Sequence, residues 1–497
     1  MSAIPVIILL LPILAAIAIG LRAPARNTAL LAAIANVALT AVLCFNFDQS
    51  QGTGDFQFTS SLLVLQSPEI SLAFGVDGMS LIMVLLTVIV TLAALWSIKP
   101  QIANERLHYI SSLLIAAGGL GAFLSTDVFF FYAFHELALI PTFLMIGLCG
   151  RGENPKRVAW TITLYLALGS LVLLAGIVAL VLNSGGSDGG LTFSMSHLLS
   201  MGSQIDPSTQ KWIAALLLVG FGTLVSLFPF HSWAAPAYAA APTSVSMLHA
   251  GVLKKFGLYG LIRLAVPLLP EGMAEWTNVL LVLLLCNILY VGLVTVAQRR
   301  LDLMLGNSSV MHMGYIFLGI AALISDKGPN PIATNGAVLL MFAHGVSIAL
   351  LFALAGKIEE RTGRLEHDTL GGLAKKMPSL GFLFGLAAFA SIGLPGFANF
   401  AGEVAIFVAA FAGVYDGSTL TELGNLQWAA IAAFWGVVIS AVYMLRSYRS
   451  IFMGEEPKGG LEVDGRLTLD EKLPLGMLAA ALLVVGFFPN IILQYLN

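Results

Sequence analysis

Apolar residues run along this chain in blocks of about twenty, and the polar residues collect between the blocks. A helix of that length crosses the ~30 Å hydrocarbon layer of a bilayer. The blocks predict helices near 3–22, 27–47, 78–98, 109–125, 127–148, 157–184, 211–240, 243–264, 275–297, 301–323, 332–356, 378–413, 427–448 and 473–494. The pattern therefore describes an all-α polytopic membrane protein with about fourteen transmembrane helices. Two of the spans are interrupted, the first around Phe228–Ser232 with Pro229 in it, the second around Gly393–Asn399 in the run GLPGFAN. Broken backbone at membrane depth survives only where it is packed in protein or lines a wet cavity. The polar stretches 48–76, 185–210 and 449–472 read as loops, and residues 3–22, interrupted by Pro5 and Pro12 with no basic residue ahead of them, read as a retained helix.

Loop charge tests this count. Arg22 and Arg26, Lys99 and Arg106, Arg151, Lys156 and Arg157, Arg299 and Arg300, and Lys357, Arg361, Arg364, Lys375 and Lys376 follow the first, third, fifth, ninth and eleventh spans. The alternate loops carry Asp48, Asp55 and Glu69, then Asp188 and Asp206, then Asp416 and Glu422. By the positive-inside rule the basic loops face the cytoplasm, which puts both termini outside. The alternation holds only if 211–240 and 378–413 each cross once, as single broken helices.

Composition supports the membrane reading, since 58% of the 497 residues are hydrophobic and 10% charged, with mean hydropathy +0.91. A net charge of −3 without any basic block speaks against a nucleic-acid partner. Cys44, Cys149 and Cys286 form no CxxC or metal-ligand spacing, so no iron–sulfur or zinc site is expected. No GxGxxG turn in a strand-to-helix setting offers a nucleotide site.

In such a chain an ionisable residue inside a span is a functional candidate by default. Glu136, in FFFYAFHELALIPTF, needs a cation, water or neutralisation, and a structural ion pair is its alternative role. Lys255 lies past His249 on the span that follows Pro242, and a buried lysine can change its charge state. Lys254 points about 100° away around the helix and is expected to snorkel. Arg263 cannot release a proton usefully and is assigned to the outer interface or a salt bridge. His231 at the first break, His249, His312 and His344 form a set suited to a relay, although a lone histidine in a helix is more often a packing residue. Glu403, just past the second break, either caps the resumed helix or is the last proton site before the exit. Asp77 precedes a span and reads as a helix-start residue.

The runs HELALIP, PFHSWAAPAYAAAPTSVSMLHAGVLKKFGLYGLIR, SSVMHMGY, AHGVSIALLF, TLGGLAKKMP, LPGFANFAGE and AVYMLRSY together resemble the subunit M family of bacterial respiratory complex I, within the antiporter-like superfamily that also holds Mrp antiporter subunits. The likeness runs from about Asp77 to Arg449, and a glutamate at Glu403, where the sister subunits L and N carry lysine, favours subunit M. It implies two inverted five-helix repeats with broken helices, divided here as N-terminal helices 1–108, a first repeat 109–265, a second repeat 275–450 and a C-terminal loop and helix 451–497. It further implies a proton path through Glu136, Lys255, His312, His344 and Glu403, supported by His231, His249, Lys254, Pro229 and Pro242. No cofactor would sit on this chain, with FMN, iron–sulfur clusters and quinone on partner subunits. The partners would be other complex I membrane subunits, L and N among them, in a bacterial cytoplasmic membrane.

Two departures stand out. The lysine of the family's first broken helix falls on Leu224, removing the usual partner of Glu136, and an acid-to-base order ahead of SSVMHM reads Arg300-Leu301-Asp302, with the ends exchanged. Either Lys254 or His135 then compensates Glu136, or this copy is a divergent, non-conducting structural paralogue. A cation/proton antiporter or inorganic-carbon uptake subunit is the rival from another functional class.

Overall fold

Each apolar block becomes a helix. The computed structural model describes residues 1–50, 54–99, 102–184, 190–201, 204–325, 330–412, 423–455 and 465–496. Helices α1 (Ile4–Gly20), α2 (Ala25–Asn46), α3 (Gly78–Trp96), α4 (Glu105–Leu124), α5 (Val128–Cys149) and α6 (Pro155–Asn183) precede a broken pair, α7 (Pro207–Val225) and α8 (Ala234–Ala240). Helix α9 begins with Thr243–Leu248 and ends with Val266–Leu268, passing through two π turns, His249–Leu253 and Leu261–Ala265. Then come α10 (Pro270–Ala297, with a π turn at Cys286–Val291), α11 (Leu301–Ser325) and α12 (Pro331–Thr362). The second broken pair is α13 (Pro378–Ile392) and α14 (Ala398–Phe411), followed by α15 (Asn425–Phe452) and α16 (Leu469–Phe487). Ten of the described helices are each long and apolar enough to cross a membrane. Helices α1, α9 and α16 and the α13–α14 pair supply the other crossings of the about fourteen that the sequence leads one to expect.

Helix α12 lies at the centre, with the whole of its apolar window buried in protein. Helices α2, α6 and α15 instead turn large apolar side chains such as Phe45, Trp160 and Trp435 outward, as lipid-facing helices do. Helices that carry proline stay intact because neighbours satisfy the freed carbonyl. Pro12 of α1 leaves Ile8 O without its intrahelical donor, and Asn36 of α2 donates to it at 3.0 Å.

Ion pairs and bridges sort the loops into two ends, as the charge alternation required. At the basic end Arg26 pairs with Asp470 at 2.6 Å, Lys99 with Glu360 at 3.5 Å, Arg361 and Lys357 with Glu471 at 2.9 and 3.1 Å, and Arg151 with Glu359. At the acidic end the segment after α6 bridges to Glu69 and Asp127. Asp188, Asp416 and Glu422 lie outside the described residues.

Three expected loops hold structure. Residues 57–76 form an antiparallel hairpin, β1 (Gln57–Gln66) and β2 (Glu69–Val76), with Phe58, Thr59, Val64, Ile70, Phe74 and Val76 supplying strand-favouring side chains. Strands of this length fall below a filter set for membrane-spanning blocks. A short helix, Met195–Met201, occupies part of 185–210, and α15 continues to Phe452, past the expected start of the last loop. The hairpin ends at Asp77, which caps α3 by accepting from Ser80 N at 2.9 Å and pairs with Arg263 of α9 at 2.5 Å. Arg263 is thus a buried salt-bridge residue, 6% exposed, and not an interfacial one.

Candidate functional site

The site forms where α9 crosses α12 with almost no side chain between the backbones. A Cβ on Gly345 would stand 2.6 Å from the Gly251 carbonyl oxygen, and one on Gly251 3.0 Å from that of Gly345. This closeness sets Lys255, about one turn along α9, with its Nζ 2.9 Å from Nδ1 of His344 and 2.7 Å from the Ala250 carbonyl. Lys255 is fully buried and His344 is 2% exposed. The π turn His249–Leu253 places the lysine after a widened backbone turn, a feature frequent at functional sites.

From His344 the polar line continues to His312 of α11, whose ring lies 5.8 Å away centre to centre. The two ring nitrogens of His312 each sit 2.8 Å from a carbonyl oxygen, of Ser308 and of Ser391. A neutral imidazole has one N–H and can donate to only one of them, whereas the imidazolium donates to both. Ser391 belongs to the last turn of α13, at the second break. There Gly393 takes φ +80°, and a Cβ on it would collide with the Glu403 carboxylate. Glycine at 393 therefore serves both the left-handed turn and the seat of Glu403. Glu403 is 5% exposed and sits well inside α14, whose N-cap is Phe397, so it is not the capping residue.

Lys254 does not snorkel. It is 1% exposed, with Nζ 3.3 Å from Ser309 Oγ and 5.5 Å from the centre of the Tyr238 ring. The reason is that its side chain ends inside the protein, between Ser309 of α11 and Tyr238 of α8, with no interface within reach. His249 packs against the rings of Trp233 and Tyr238, at 5.7 and 5.6 Å, and not against Lys255. Both of its ring nitrogens, Nε2 of His344, the Tyr238 hydroxyl and Oδ1 of Asn399 are buried without a hydrogen-bond partner among the described residues. Buried polar atoms of this kind are ordinarily satisfied by ordered water.

Glu136 stands apart from this line, on the flank of the molecule, with its side chain 34% exposed. Its Oε1 accepts from Ser170 Oγ at 2.5 Å and lies 3.4 Å from Nδ1 of His135. His135 in turn stacks on Phe256 at 4.0 Å. Of the two compensating groups considered, His135 touches Glu136 and Lys254 does not. Leu224 is 4% exposed, in the last turn of α7, packed as an ordinary core residue. Arg300 and Asp302 pair with each other at 2.8 Å, so the exchanged order keeps the ion pair.

The first break is held by a residue the sequence reading passed over. Asn287, fully buried in the π turn of α10, accepts from Phe228 N at 2.7 Å and donates to the carbonyls of Ser226 at 3.2 Å and Val310 at 3.1 Å. It thereby satisfies a donor and an acceptor just past the end of α7 and ties that end of the break to α11. The signal was a lone amide in the apolar run CNILY. Beyond it, Pro229 is exposed, His231 stacks on Phe228 at 5.3 Å, and Pro242 is the N-cap of α9. Replacing Asn287 by leucine leaves the Phe228 N–H and Ser226 carbonyl unpaired and is expected to destabilise the protein by ~1–3 kcal/mol, read as a lower unfolding temperature than that of Asn287→Asp.

Residues 125–424 match the family described as NADH:quinone oxidoreductase/Mrp antiporter, TM. The chain belongs to that family. Among its relatives, "NAD(P)H-quinone oxidoreductase chain 4 3" of a Picosynechococcus species is 35% identical over 419 residues, 84% of this chain and 73% of that one. "NADH-quinone oxidoreductase subunit M" of Rhodobacter capsulatus is 32% identical over 429 residues, 84% of this chain and 79% of that one. A chain of respiratory complex I from Thermus thermophilus superposes with a TM-score of 0.84 at 28% identity, covering 100% of this chain and 97% of its own.

Proposed function

We propose that this chain is a proton-translocating, antiporter-like membrane subunit of an NADH:quinone oxidoreductase, coupling quinone reduction on partner subunits to proton transfer across the membrane. The observation that carries the proposal is the buried contact of Lys255 with His344, extended through His312 to the break where Glu403 sits. A cation held against a neutral imidazole, a histidine bracketed by two carbonyls and a carboxylate without a charged partner among the described residues can each change protonation state as their neighbours do. Glu136 on the flank would receive the coupling signal from a neighbouring subunit, with His135 as its compensating group.

On this reading 109–265 and 275–450 are the two antiporter-like repeats, preceded by 1–108 and followed by 451–497. The basic end faces the cytoplasm of a bacterium, the protein lies in the inner membrane, and both termini are periplasmic. Subunits L and N are the expected neighbours, with FMN, iron–sulfur clusters and quinone carried elsewhere in the complex. Moving one charge against 100 mV requires roughly 2.3 kcal/mol, which the redox partners must supply.

The test is proton uptake by sealed vesicles holding the assembled complex. Glu403→Gln is expected to lower pumping and coupled quinone reduction together while assembly persists, and unchanged pumping would remove Glu403 from the path. Leu224, an apolar residue where the family resemblance expects the lysine that partners Glu136, favours a second reading in which the channel no longer conducts. Leu224→Lys separates the two: an unchanged proton yield supports conduction with His135 as the compensating group, whereas a gain means that this copy had lost its channel.

A further inference from the structure

At the basic end a cavity of about 380 Å³ opens between the α3–α4 connection, the end of α5, the start of α9 and α12. Its walls are charged but balanced. Lys99 pairs with Glu360 at 3.5 Å, Lys357 with Glu360 at 3.0 Å, and Arg151 with Glu359. A bound anion or cation would have to displace one of these partners, so the walls favour water over a charged ligand. Among the lining residues are His108 of α4 and Ser244 in the first turn of α9. The His108 side chain is 4% exposed and hydrogen bonds to no group among the described residues, yet it borders the cavity. One turn further along α4, the fully buried Ser112 hydroxyl lies 3.3 Å from that of Ser244. Ser244 therefore joins the cavity to α9, the helix that carries Lys254 and Lys255. His249, with both ring nitrogens unpartnered, lies between Ser244 and Lys255, about 8 Å of helical rise from each.

We propose that protons are taken up through this cavity, that His108 collects them from water, and that the Ser112–Ser244 pair passes them toward His249 and Lys255. The inference rests on the proton-translocating function argued above. The loading route then bypasses Glu136 and the apolar Leu224. Each step is balanced: one ring nitrogen of His108 gains a proton and the other releases one, and each hydroxyl accepts one proton while handing on its own. Although much of its lining is apolar, the cavity has His108, Ser244 and the Lys357–Glu360 pair at its wall, polar groups that can hold water.

The experiment uses sealed vesicles with the assembled complex and its basic end outward. His108→Gln and His108→Ala are expected to lower proton pumping by about tenfold or more, the scale of losing a proton-transfer group. Added imidazole, small enough for the cavity, restores pumping in His108→Ala and does not restore it in Lys255→Met. Full pumping in both His108 variants with Lys255→Met inactive overturns the inlet and leaves the proposed function standing. Full pumping in Lys255→Met as well removes that function. If the His108 variants do not assemble, Cys149 on the cavity wall answers instead. A bulky membrane-impermeant thiosulfonate applied to the basic side is expected to block the wild-type complex and spare Cys149→Ser. An unlabelled Cys149, or a labelled one with pumping intact, overturns the proposal.

Discussion

Replacing Lys255 by methionine is expected to abolish proton pumping in the assembled complex while leaving the subunit folded. Methionine matches the length of the lysine stem and fills its apolar surroundings, so the packing loss is small. What disappears is the cationic group in contact with His344, 2.9 Å away. If that pair passes a proton, the loss belongs on the general acid–base scale, about 10²-fold or more. Lys255→Arg sharpens the test, because a guanidinium keeps the charge but cannot release its proton. A purely electrostatic role predicts that arginine rescues pumping, and a relay predicts that it fails. Proton uptake and quinone reduction measured on the same vesicles distinguish the two, and full pumping by the arginine variant would sink the relay.

Much of this arrangement was legible before any coordinates. The bilayer fixes the length of an apolar block, so the helices emerged at nearly their true bounds, and Pro229 and Gly393 marked both breaks because few residues tolerate such backbone at that depth. The charge of the loops fixed which connections share an end. What could not be read is which side chains meet. Lys255 and His344 lie 89 residues apart, and their contact depends on a glycine crossing that no local pattern announces. The fate of Lys254 was misjudged for the same reason, since snorkelling presumes a helix with a lipid-facing side and α9 has none near that residue. Asn287, alone in an apolar run, and His108, in the mixed stretch ERLHYISS, identify themselves only through their surroundings: the end of α7 at the break for one, a cavity for the other. The hairpin 57–76 escaped because its strands are half the length that a search for spans recognises.

The glycine crossing yields the second large effect. Gly345→Ala adds one methyl group, yet its Cβ would stand 2.6 Å from the Gly251 carbonyl and 2.7 Å from Leu86 Cδ1. The leucine can turn away, but the carbonyl belongs to the backbone of α9, so the helices must separate. Overpacking of this kind costs about 1–3 kcal/mol, and the separation falls one residue from His344. Gly345→Ala is therefore expected to lower the unfolding temperature and also to reduce pumping, although it removes no titratable group. Gly476 in α16 provides the control, because a Cβ there meets nothing within 4 Å, and alanine should stabilise that helix slightly by restricting the unfolded chain. A Gly345→Ala complex that is destabilised but pumps normally would mean that proton transfer does not depend on the tight α9–α12 approach. Loss of pumping at a temperature where the complex remains folded would tie the crossing directly to the Lys255–His344 pair.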